Sequence, residues 1–68
     1  MRYRDFVRLV EAVGFEMVRM RGSHRIYRHA GIPGRLTLQD SSGEAKPYQI
    51  RQFLRTMDEH GLTIRDSS

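Results

Sequence analysis

The sequence predicts a small α+β domain of order α-β-β-β-α, with three antiparallel strands and both helices on one face of the sheet. Three observations predict it. Near each end of the 68-residue chain, apolar residues recur at the spacing i, i+3, i+4, i+7, which marks an amphipathic helix. Between these stretches lie three short runs rich in branched, aromatic and other apolar residues, read as strands. Turn-forming glycines separate the runs, at Gly22 and at Gly31 and Gly34. Helices gathered on one side leave the other face of an antiparallel sheet open to solvent.

The first helix is expected over residues 4–13. Phe6, Leu9, Val10 and Val13 form its apolar stripe, with Arg4, Arg8 and Glu11 off that stripe. Asp5 suits the positive end of the helix dipole, and Gly14 supplies the stop. No Ser, Thr, Asp or Asn precedes Asp5 as a cap. The first strand is expected over 15–21. Its alternation is broken, because Phe15 and Met17 share one parity and Val18 and Met20 the other. A bulge, or burial on both faces, would account for that.

The second strand is expected over 23–29, with two solutions. If Ile26 points to the core, His24 and Arg28 share its face; if Tyr27 does, the faces swap. Residues 31–34, Gly-Ile-Pro-Gly, read as a turn, and 35–39 as the third strand with Leu36 and Leu38 inward and Thr37 outward. Residues 40–43 are a polar loop. The second helix starts at Pro47, where a missing N–H costs nothing. Ile50, Phe53, Leu54 and Met57 form its stripe, and Gly61 stops it with Leu62 placed to fold back. Met17, Met20 and Met57 are expected to fill the core, and 65–68 to fray. There is no internal repeat and no linker, so residues 1–68 are read as one domain.

A chain this short buries only about 60% of its unfolded surface. A deep, enclosed substrate pocket is therefore excluded, and any active site is a surface one. The absence of cysteine rules out disulfides and thiolate metal sites, and fits the cytoplasm. No signal peptide or membrane span is visible. The net charge of +4 is unevenly placed. Residues 1–35 hold eight Arg against three acids, a net +5, while residues 36–68 hold four basic residues against five acids. Eleven of the twelve basic residues are Arg, whose planar fork pairs with phosphate and stacks on bases. A polyanionic partner is expected.

The positive charge is densest around one histidine. Arg19, Arg21, Arg25 and Arg28 surround Gly22-Ser23-His24. Glycine permits a tight bend and Ser23 can bond to turn backbone, so His24 is presented at or beside a turn. An imidazole is suited to proton transfer near neutral pH, and flanking guanidiniums can hold phosphates and offset developing charge. That pattern fits metal-free cleavage of RNA by its own 2′-OH, with His24 as the proton-transfer group. Arg21, Arg25 and Arg28 are the candidate phosphate contacts, and no second acid is evident. Tyr27 would stack a base if it lay on the open face, and would pack if it did not. His29 is expected to be solvated, His60 to suit the end of the second helix, and Tyr48 to lie at the surface or pack. The three histidines show no metal-binding spacing, no nucleophile–base pair recruits Ser23, and no cofactor motif is present.

With these residues in hand, the chain resembles the HicA-type mRNA interferase toxins of type II toxin–antitoxin systems. The resemblance covers roughly residues 3–62. It rests on the helix ending at Gly14-Phe15, the basic residue before Gly22-Ser23-His24, the aromatic Tyr27, the Gly/Pro turn, the short third strand and the closing amphipathic helix. It implies a double-stranded-RNA-binding-domain-like fold, a catalytic His24, and RNA contacts from Arg21, Gly22, Ser23, Arg25, Tyr27 and Arg28. It also implies an mRNA substrate and silencing by a HicB-type antitoxin. Many members carry Pro and His near the end of the third strand, where this chain has Gln39-Asp40. Another function class, a non-catalytic RNA-binding module, would use the same basic surface and keep its affinity without His24.

Overall fold

Two glycines stop the helices by the same hydrogen-bond pattern. In the computed structural model, which describes residues 1–62, α1 spans Tyr3–Ala12 and α2 spans Pro47–Glu59. After α1, Gly14 N–H donates to Glu11 O at 3.0 Å and Phe15 N–H to Val10 O at 3.4 Å. After α2, Gly61 N–H donates to Asp58 O at 3.3 Å and Leu62 N–H to Met57 O at 2.8 Å. Both are Schellman closures, which satisfy the last carbonyls and turn the chain back onto the core. Phe15 is thus a buried post-helix residue and not the first residue of a strand. The expected fraying of 65–68 lies outside the described residues.

Neither helix has a side-chain N-cap. The start of α1 is held from outside instead. Tyr3 N–H donates to Gly43 O at 2.9 Å, Ala45 N–H donates to Met1 O at 3.0 Å, and the N-terminal amine meets Glu44 Oε2 at 3.5 Å. The 41–44 loop that receives it is a tight hairpin. Ser41 and Glu44 exchange backbone bonds across Ser42 and Gly43, both at positive φ. Starting at Tyr3 rotates the buried stripe of α1 to Tyr3, Phe6, Val7 and Val10, again an i, i+3, i+4, i+7 set. Leu9 and Val13, expected in the stripe, only flank the core.

Three antiparallel strands lie in the order β1 (Glu16–Arg21), β2 (His24–His29), β3 (Ile32–Gln39). The β1–β2 register slips between Met17 and Arg19, so Val18 is a bulge, as the broken alternation predicted. β3 begins at Ile32, earlier than the sequence suggested. Pro33 and Gly34 belong to this edge strand, and the register shift beside them absorbs the irregularity. Leu36 and Leu38 point inward and Thr37 outward, as expected.

The core lies between the sheet and the two helices, which share one of its faces. Phe6, Val10, Tyr27, Leu38 and Phe53 are fully buried. Phe53 receives Phe6 edge-on at 5.6 Å and Phe15 at 6.0 Å, so both helices and the first turn meet on one ring. Such pairs add about 0.5–1.5 kcal/mol each beyond burial. Met57 is core, as expected. Met17 and Met20 are not, being 46% and 53% exposed. They sit opposite Tyr27 and Arg25 on the helix side, but on the edge strand β1, all of whose residues are exposed. Leu54 is likewise exposed on α2.

Candidate active site

Pairing across the sheet decides which side chains share the open face. Tyr27 is fully buried, so Arg25, Tyr27 and His29 face the helices, and His24, Ile26 and Arg28 face solvent. Register then builds rows across the open face. Arg21, His24 and Gln39 form the row nearest the β1–β2 hairpin, and Arg19, Ile26 and Thr37 the next. Glu16 and Arg28 make a third. Arg35, one residue before inward-facing Leu36, lies on the same side. Together with Val18, Arg19 and Ile26 it lines a shallow depression of ≈ 430 Å³.

Gly22 and Ser23 are the two residues of the hairpin turn between the paired Arg21 and His24. Gly22 has φ +58° and Ser23 does not share the positive sign, the pattern of a type II′ turn with glycine first. Open space surrounds the Gly22 Cα where a side chain would be. The turn thus presents His24 at the start of β2, exposed, with no side-chain hydrogen bond among the described residues.

Magnitude separates the arginines. A directly paired residue has its Cα about 5.5 Å away or less, so the Arg21 guanidinium can share a ligand atom with His24. Arg28 stands four residues along β2, about 13 Å at ~3.3 Å per residue. It can hold a neighbouring part of a long ligand but not the group His24 touches. Arg25 is on the other side of the sheet. Its guanidinium lies over the Tyr3 ring, 5.6 Å from the centroid, and the nearby Tyr27 hydroxyl holds its proton more tightly than usual.

Two expectations are corrected here. Tyr27 cannot stack a base, because its ring is enclosed and its hydroxyl reaches Glu11 Oε2 at 3.4 Å. His29 is not a solvated loop residue. Its Nδ1 accepts from Gly31 N–H at 2.9 Å, its Nε2 meets Val13 O at 3.3 Å, and its ring packs edge-on to Phe15 at 5.1 Å. An Nδ1 that accepts fixes the neutral tautomer with the proton on Nε2. His29 therefore ties the β2–β3 turn to the end of α1.

One supporting residue carried no signal in the sequence. Gln49 of α2 is polar yet 6% exposed. With its amide oriented to satisfy both ends, it donates to Gln39 O at 3.3 Å and accepts from Gln39 N–H at 3.1 Å. It thereby closes the edge of β3 opposite His24. Only the position of that edge explains a glutamine there.

Among the described residues, no group of three or more His, Cys, Asp or Glu side chains comes together. No described helix is long and apolar enough to cross a membrane. The row Arg21–His24–Gln39 therefore offers one titratable group beside one permanent cation, on an open surface. The family described as HicA toxin of bacterial toxin–antitoxin matches residues 3–58, a span holding nearly all five elements. No curated protein and no solved structure matches the chain.

Proposed function

The chain belongs to the HicA toxins of bacterial toxin–antitoxin systems, and on that premise we propose that it cleaves mRNA as an endoribonuclease with His24 as its proton-transfer group. The observation that carries this reading is the pairing of an exposed, unengaged His24 with Arg21 at a glycine hairpin. Neutral His24 takes the proton of a 2′-OH as that oxygen attacks the adjacent phosphorus. The bond to the 5′-oxygen breaks, and the imidazolium then returns its proton to the leaving oxygen or to water. Arg21 offsets the charge that builds on the phosphoryl oxygens.

A positioned acid–base group is worth about 10²–10⁴-fold and a single charge-stabilising donor about 10²–10³-fold. With no second acid–base group in the row, a slow enzyme is expected. Slow cleavage suffices for a toxin that acts on the messages of its own cell, in the cytoplasm, and is held silent by an acidic HicB-type antitoxin drawn to the same positive surface.

The chemistry is tested by the ends of the products. In the presence of EDTA, cleavage is expected to continue and to leave a 2′,3′-cyclic phosphate or its opened form, with a 5′-hydroxyl on the other fragment. Products carrying 5′-phosphate, or a strict need for a divalent ion, would contradict this mechanism.

A further inference from the structure

We propose that a second arginine surface, on the helix side of the sheet, is a binding groove for the RNA backbone as it runs on from the cut site. This rests on the RNA reading above. The groove, of ≈ 660 Å³, opens between the start of α1 and the 40–44 loop. Arg2, Arg4, Arg8 and Arg25 line it, and Tyr3 contributes to its wall. None of these four guanidiniums lies in an ion pair among the described residues. Among the described residues, the one ion pair is that of the N-terminal amine with Glu44.

Against the four arginines the rim sets only two carboxylates, Asp40 and Glu44, leaving a net +2 (4 − 2), and neither pairs with a guanidinium among the described residues. Asp40 Oδ1 accepts from Gly43 N–H at 2.7 Å, and Glu44 is held by the N-terminus. Tyr3 is 5% exposed, its hydroxyl is buried without a hydrogen-bond partner, and burial raises its pKa. Four such cations around a concave surface attract an extended polyanion, and each phosphate held releases counterions.

Position identifies which polyanion. Arg25 directly follows His24 in the chain. Asp40 N–H donates to Ser23 O at 3.5 Å, so the groove begins just behind the hairpin that presents His24. Gly22, with open space where a Cβ would stand, leaves the tip of that hairpin clear. A strand whose phosphate sits at His24 can pass over the tip and continue between Arg25 and α1. An acidic protein would feel the same charge, but a substrate strand must leave the cut site in some direction, and this one is open and cationic.

The test uses the full chain and two uncleavable 2′-O-methyl RNAs, one spanning only the cut site and one long enough to pass the hairpin. For the long RNA, Arg4→Gln/Arg8→Gln is expected to weaken binding about tenfold and to flatten the salt slope by about 1.4, at ~0.7 per phosphate contact on a single strand. Short-RNA affinity is expected to stay at the wild-type value. Both arginines are exposed and have no ion pair among the described residues, so melting should not change, and Arg2→Gln must show the same selectivity for long RNA. Wild-type affinity for long RNA in these variants, or equal loss for both lengths, would overturn the groove. So would loss confined to an acidic protein partner. If the wild-type chain binds neither RNA, the RNA reading itself falls and takes the groove with it.

Discussion

On β2, Arg25, Tyr27 and His29 face the helices while His24, Ile26 and Arg28 face solvent. The first set is engaged: Arg25 lies over Tyr3, Tyr27 bonds Glu11, and His29 joins Val13 to Gly31. The second set shows no side-chain hydrogen bond or ion pair among the described residues. Neighbours in sequence thus have opposite roles, because a strand sends successive side chains to opposite faces. A run such as Arg19–Arg28 is one cluster in the sequence and two surfaces in the fold. Tyr27 and His29, which have partners, hold the domain together; Arg25 rests on Tyr3 yet still lines the groove beside α1, and the residues of the second set remain available to a ligand on the open face.

The largest effect expected from breaking this contrast is on stability. Tyr27→Ala should cost about 3–5 kcal/mol, as for other buried aromatic truncations. A domain of this size has roughly 3–10 kcal/mol in total, so the variant should be largely unfolded by circular dichroism. A well-folded Tyr27→Ala protein with weakened RNA binding would restore Tyr27 to the ligand surface.

A smaller effect is expected at His29. His29→Ala removes two hydrogen bonds and an edge contact, and should cost about 1–3 kcal/mol. For a domain of this length that lowers Tm by about 4–8 °C per kcal/mol. RNA cleavage measured well below the new Tm should be unchanged. Lost cleavage with unchanged Tm would place His29, and not only His24, in the chemistry.

Much of the fold was legible because its signals are local. Gly14, Pro47 and Gly61 act on adjacent backbone, and the bulge at Val18 shows directly as a broken alternation. The face of β2 was not legible. Ile26 and Tyr27 are adjacent apolar residues of opposite parity, and only burial in the core, with the hydroxyl reaching Glu11 of α1, selects Tyr27. Pro33 and Gly34 read as a turn because an edge strand tolerates what a central strand cannot. Met17 and Met20 read as core because composition cannot show that β1 lies beyond the cover of the helices. At the site, the hairpin and its histidine were visible in three consecutive residues. The groove was not, since Arg2, Arg4, Arg8 and Arg25 meet only through the packing of α1 beside β2.

The central claim is that His24 serves chemistry and not folding. The most direct measurement pairs the cleavage rate of one RNA with the Tm of the same preparation, for wild type and His24→Ala. Cleavage is expected to fall by about 10²–10⁴-fold while Tm stays within the range of a surface substitution, a change of about 0.5 kcal/mol or less. Cleavage at the wild-type rate, or a Tm that falls as far as that of His29→Ala, would contradict it.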